Sequence, residues 1–210
     1  MRKLVVLCVV LSLSCSAFAA ISDLNPASWR TTPPGQFTTT FQAWSFDDSA
    51  NPTAPELVSN DFGVPTLNVV AGAYMQSYMG HSGIWRYTAM GEIGMYIPNT
   101  GNNEENTWKE IWLQIIYSDP YGAGFEIPIV TTPGYDSFDR VSSEDLGDGY
   151  LLDTYSIIIR PNPPGEELVT FTIQCAMYVD EIVVDTICIP EPATMLLLSL
   201  GGLLVLRKRK

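Results

Sequence analysis

Trp108-Lys109-Glu110-Ile111-Trp112-Leu113-Gln114-Ile115-Ile116-Tyr117 decides the fold class. Ile111, Leu113, Ile115 and Tyr117 fall on one face of an extended chain, and Trp112, Gln114 and Ile116 on the other. That is the period of two expected of a strand, in residue types that favour a pleated surface. Working outward, Val169, Phe171, Ile173 and Cys175 alternate with Thr170, Thr172 and Gln174 in residues 168–177. Residues 178–187 and 150–160 read as further strands, the latter stopped by Pro161-Asn162-Pro163-Pro164-Gly165. The spacing predicts others at 36–46, 67–78, 85–90, 92–97 and 125–130, with Pro128 marking an edge. Residues 20–35 read as an irregular lead-in, and 47–65, 99–106 and 134–149 as loops rich in Pro, Gly, Asn, Asp and Ser. No stretch between 20 and 189 has helical periodicity. The expectation is all-β: a single β-sandwich, a jelly roll in preference to an immunoglobulin-like sandwich. If residues 168–177 and 178–187 pair as a tight hairpin, it turns near Tyr178 to Asp180.

The two ends read differently from the middle. Arg2-Lys3, the ten residues Leu4 to Leu13 and Ala17-Phe18-Ala19 form the n-region, h-region and A-x-A site of a secretory signal cleaved after Ala19. Lipidation of Cys15 is the alternative, with Ser12-Leu13-Ser14 a poor lipobox. At the other end, Ile189-Pro190-Glu191-Pro192-Ala193-Thr194 leads into a twelve-residue, largely apolar stretch, Met195 to Leu206, and then Arg207-Lys208-Arg209-Lys210. Two prolines around Glu191 interrupt regular structure. As a helix the apolar stretch is about 18 Å long against a hydrocarbon core of about 30 Å, and flanking residues can extend it. The four cations hold the extreme C-terminus on the cytoplasmic side. The chain divides into a signal peptide at 1–19, a β-sandwich at 20–188 and a tail at 189–210.

Residues 189–210 resemble a PEP-CTERM sorting signal: a Pro-Glu-Pro motif, a short hydrophobic helix and a basic end. Pro190, Glu191 and Pro192 match the motif position by position, and Arg207, Lys208, Arg209 and Lys210 supply the basic tail. The resemblance implies an exported bacterial protein whose tail is removed by exosortase, a membrane-embedded cysteine protease or transpeptidase. It implies an inner-membrane precursor held by a C-terminal transmembrane helix, then delivery to the cell surface or the extracellular matrix of a biofilm. Tyr178-Val179-Asp180-Glu181-Ile182-Val183-Val184 resembles the last strand of jelly-roll carbohydrate-binding modules.

Charge and composition narrow the middle. Setting aside both ends leaves 5 of the 11 basic residues and 22 of the 23 acidic ones, a net charge of −17. Such a surface repels nucleic-acid phosphates, which excludes nucleic acid as a partner. Cys8 and Cys15 leave with the signal, so Cys175 and Cys188 remain in a compartment that permits a disulfide between them; a tight hairpin register places Cys175 nearer Ile182, and the pairing stays open. His81 is the sole histidine, so a multi-imidazole zinc site is excluded, and Gly80-His81-Ser82-Gly83 fails the G-x-S-x-G pattern. Asp47/Asp48, Glu104/Glu105 and Glu166/Glu167 fall in expected loops, with no catalytic spacing between them. Asp136 to Asp148, and Asp47, Asp48 and Asn51, offer oxygen ligands for a structural calcium but lack the EF-hand spacing. Trp29, Trp44, Trp85, Trp108 and Trp112 can pack the core or stack on sugar rings. The expectation is a non-enzymatic surface or matrix protein without a cofactor, and the alternative a module binding extracellular polysaccharide.

Overall fold

The computed structural model describes residues 23–31, 38–99, 107–121, 129–130, 135–162, 165–174 and 176–190. A short 3-10 turn, Ser28–Thr31, precedes twelve strands: β1 (Thr38–Trp44), β2 (Leu57–Ser59), β3 (Thr66–Val70), β4 (Ala73–Tyr78), β5 (His81–Tyr87), β6 (Gly91–Pro98), β7 (Thr107–Ser118), β8 (Ile129–Val130), β9 (Ser137–Gly147), β10 (Tyr150–Ile159), β11 (Glu166–Ile173) and β12 (Met177–Pro190). They form two antiparallel sheets. One runs β2-β1-β12-β7-β10-β9, with β5 joining the start of β12 and β4 pairing β5. The other runs β3-β6-β11-β8. Together they make the β-sandwich that the alternation predicts.

Register decides which side chains meet. Gln42, Val184, Leu113 and Tyr155 stand on one rung of the larger sheet, and Thr40, Thr186, Ile111 and Ile157 on another. These rungs face the smaller sheet, where Leu67, Ile93, Met95, Val169 and Phe171 complete a continuous core. Ile111, Leu113, Ile115 and Tyr117 are all buried there, as the alternation of β7 requires. Asp153 shares this interior: it accepts hydrogen bonds from the Tyr155 hydroxyl at 2.8 Å, the Tyr117 hydroxyl at 3.1 Å and the Arg140 guanidinium at 3.4 Å, so a buried carboxylate is held by three donors.

The outer face of the larger sheet is covered as well. The lead-in, residues 23–31, lies across it as a strap. Asn25 donates its backbone N–H to Gln114 Oε1 at 2.8 Å and accepts from Trp112 Nε1 at 2.8 Å, while its side-chain amide donates to Ser142 and Thr154. Ala27 of the strap is itself 1 % exposed. This explains why Gln114, on the polar-facing side of β7, is fully enclosed.

Four expectations are corrected. Residues 134–149 are no loop over most of their length: β9 spans Ser137–Gly147. It is an edge strand, exposed along most of its length, so no hydrophobic alternation marked it. The closing segments do not form a hairpin. β11 lies in the smaller sheet and β12 in the larger, so the chain changes sheets between Ile173 and Met177. Glu166 and Glu167 belong to β11, not to a loop. His81 opens β5 instead of sitting in a loop. Cys175 lies outside the described residues; Cys188 stands near the far end of β12, about 36 Å of extended chain from Met177. Ala17 and Ala19 of the expected signal, and the expected membrane helix, lie outside the described residues too. Among the described residues no helix is long and apolar enough to cross a membrane.

Candidate functional site

The rim of the sandwich where β12 ends is the place where the fold meets the C-terminal motif. β12 does not stop at residue 188. Ile189 pairs with Trp108 and Pro190 with Thr107, so the strand runs into the first proline of the Pro-Glu-Pro. A proline is tolerated at that last position, where no further ladder donor is needed. Glu191 and Pro192 of the motif lie outside the described residues, as do Arg207, Lys208, Arg209 and Lys210.

Just inside the rim, one set of hydrogen bonds ties four segments together. The Cys188 thiol donates to Asn99 Oδ1 at 3.8 Å, and Asn99 Nδ2 donates to Asn162 Oδ1 at 2.9 Å. The backbone N–H of Asn162 donates to the Thr107 carbonyl at 2.8 Å, and that of Asn99 to the Gly165 carbonyl at 2.6 Å. Asn99 and Asn162 are 5 % and 2 % exposed, so these amides work in a dry environment where each bond counts for more. The clasp joins the chain after β6, the start of β7, the turn after β10 and the end of β12. Trp108 flanks it, with the Arg160 guanidinium 5.2 Å from its ring centre.

Beneath the clasp, Lys109 Nζ donates to Glu167 Oε1 at 2.7 Å, with both side chains fully enclosed. Burial pushes the Glu167 carboxyl above its ordinary range, and the Lys109 ammonium opposes that shift. Sequence reasoning passed over Lys109, although it shares the parity of Ile111 and Leu113 and therefore faces inward. It passed over Asn99 and Asn162 because asparagines beside prolines read as turn residues.

Other candidate residues are placed as follows. His81 Nδ1 lies 2.6 Å from Asp180 Oδ2, and its ring stacks on Tyr150 at 3.8 Å. Tyr78 and Tyr178 stack nearby at 3.9 Å. Burial raises the Asp180 carboxyl, with His81 pulling it back. The tryptophans separate into distinct roles. Trp44 and Trp85 are core residues. Trp112 is bonded under the strap and meets Trp29 edge to face at 5.9 Å. A cleft of about 270 Å³ opens beside the strap, with Trp29, Arg30, Phe41 and Asp185 in its walls. There Arg30 forks onto Asp185, contacts Asp23 and lies 4.3 Å over the Phe41 ring. Asp48 caps the backbone of Ala50, and Asn51 bonds the backbone of Val69 in both directions. Glu104 and Glu105 lie outside the described residues. Among the described residues no three His, Cys, Asp or Glu side chains converge as metal ligands.

Residues 189–210 match the family model of the PEP-CTERM protein-sorting motif. The chain therefore carries the C-terminal sorting signal of exosortase substrates, and with it the processing at the membrane that this signal implies. No curated protein matches the chain.

Proposed function

We propose that this chain is an exported, non-enzymatic protein of the cell surface or extracellular matrix. It is made with the signal peptide 1–19, held in the inner membrane by the segment around Met195 to Leu206, processed near Pro190-Glu191-Pro192 and released outward. The observation that carries the reading is the sorting motif at 189–210 directly after an acidic β domain. A purely structural domain fits the use of these buried acids: Asp153 serves two tyrosines and Arg140, Asp185 serves Arg30, Glu167 serves Lys109 and Asp180 serves His81. No cofactor is needed for such a role. A jelly roll fits the pairing order. β1 pairs β12, β6 pairs β11 and β7 pairs β10, so the chain pairs outermost with outermost and inward from there, as one long antiparallel hairpin rolled into two sheets.

Mass spectrometry of the exported protein tests the sorting step. The surface form is expected to start at Ala20 and to lack Met195 to Lys210; persistence of those residues on the surface form overturns the reading.

A second reading is a module for extracellular polysaccharide. The cleft with Trp29 and Phe41 beside the Arg30–Asp185 pair favours it, since aromatic faces and a planar polar fork suit a sugar ring. A polysaccharide pull-down in which binding is lost on Trp29→Ala supports this reading, and binding indifferent to that change removes it.

A further inference from the structure

The sorting motif leaves the fold without a spacer. Pro190 is both the first residue of the Pro-Glu-Pro and the last residue of β12, still paired with Thr107 of β7. Behind it Ile189 pairs with Trp108, and Cys188 pairs with Lys109 on one side and Thr38 on the other. Cys188 is further held through Asn99 and Asn162 to the backbone of Thr107. A peptidase takes its substrate as an extended segment whose main-chain groups pair with the enzyme. In the folded domain those groups are committed to β7 as far as Pro190, and to β1 as far as Cys188. Four residues lie between Pro190 and Met195, five steps of chain with a reach of at most about 18 Å, so the enzyme cannot take up slack from the membrane side.

We propose that the Cys188–Asn99–Asn162–Thr107 clasp gates exosortase processing: the folded sandwich withholds the motif until the last rungs of β12 open. This rests on the sorting reading above. The reaction itself breaks one backbone amide, the acyl group passing to water or an amine and the tail leaving with the new amino group. What the fold controls is access to that amide. The gate would order events on the export route, with the tail lost only when the rim of the domain is free to loosen.

The test is pulse-chase of the full-length precursor in cells containing its exosortase, reading the rate of tail removal. A flexible six-residue Gly-Ser insertion between Ile189 and Pro190 is expected to raise that rate at least fivefold, and Asn162→Ala to raise it two- to fivefold. Ile84→Val, a core change in β5 at the opposite end of β12, is the control for general loosening and is expected to leave the rate within 1.5-fold. Deleting Pro190 to Pro192 is expected to block processing in every background. If the insertion and Asn162→Ala both process at the parental rate while the deletion still blocks, the gate is wrong and the sorting reading stands. If Ile84→Val accelerates as much as Asn162→Ala, the clasp has no special role. If the deletion changes nothing, the sorting reading fails and the gate with it.

Discussion

Lys109 and Glu167 form an ion pair that crosses the sandwich. Lys109 projects from β7 of the larger sheet and Glu167 from β11 of the smaller, and their 2.7 Å contact is sealed from solvent on every side. Each ion is costly to bury alone, so the pair pins the two sheets in one relative position at the C-terminal rim. Removing one partner strands the other. Lys109→Met alone is expected to destabilise the domain by about 3–5 kcal/mol, and Lys109→Met with Glu167→Leu by much less. Urea unfolding of both variants checks this; equal losses would show that the pair is not what Lys109 contributes.

Acid should tighten the fold before it loosens it. Burial raises the carboxyls of Glu167, Asp180 and Asp185 above their ordinary values of 4.5, 3.8 and 3.8, with Lys109, His81 and Arg30 opposing. The folded state therefore binds these protons more tightly than the unfolded chain. Their contribution grows as pH falls from neutral through the folded values, is complete below the ordinary ones, and is lost as pH rises again. Melting temperature should therefore rise as the pH is lowered from 7.5 toward the carboxylate range. A steady fall over that range would contradict it.

Arg30 neutralises Asp185 from the strap, so its loss should be pH-dependent. Arg30→Met leaves a carboxyl that is 1 % exposed without its guanidinium. The expected loss is about 2 kcal/mol at pH 7.5, shrinking toward pH 4.5 as Asp185 takes up a proton. Parallel denaturant titrations of parent and variant at the two pH values measure the difference; a loss that does not change with pH assigns Arg30 a packing role only.

Two glycines with similar backbone angles should respond very differently to alanine. Gly83 has φ +76°, and a Cβ there would run into the Phe46 and Ser45 carbonyls. Gly147 has φ +85° with open space around it. Gly147→Ala should cost about 1 kcal/mol for the left-handed backbone alone. Gly83→Ala should cost well over twice that or prevent folding, read from soluble yield and thermal melts.

The strands legible in the sequence were those with one buried face. β7 and β11 alternate because Ile111, Leu113, Val169 and Phe171 point into a core while their neighbours do not. β9 has no such asymmetry, and its Asp139, Ser142, Ser143 and Asp145 read as turn chemistry. β11 and β12 read as a hairpin because they are adjacent in sequence, whereas long-range pairing with β6 and β7 won. The strap was invisible because its hold is by hydrogen bonds from Asn25 to residues 89 to 129 positions away. At the site, the motif itself was fully legible, since a sorting signal is read as sequence. Its attachment to the sheet was not, because a strand entering Pro190 contradicts the local expectation of proline.

The place of β12 between β1 and β7 has a mechanical consequence. Whatever the domain is joined to through its C-terminal end pulls along the axis of a strand flanked on both sides. The hydrogen bonds on each flank lie across that pull, so they share the load in shear instead of parting one at a time. A molecule hung from this end resists tearing with the whole length of its central strand, while the same strand can still be peeled, rung by rung, by something that grips its tip.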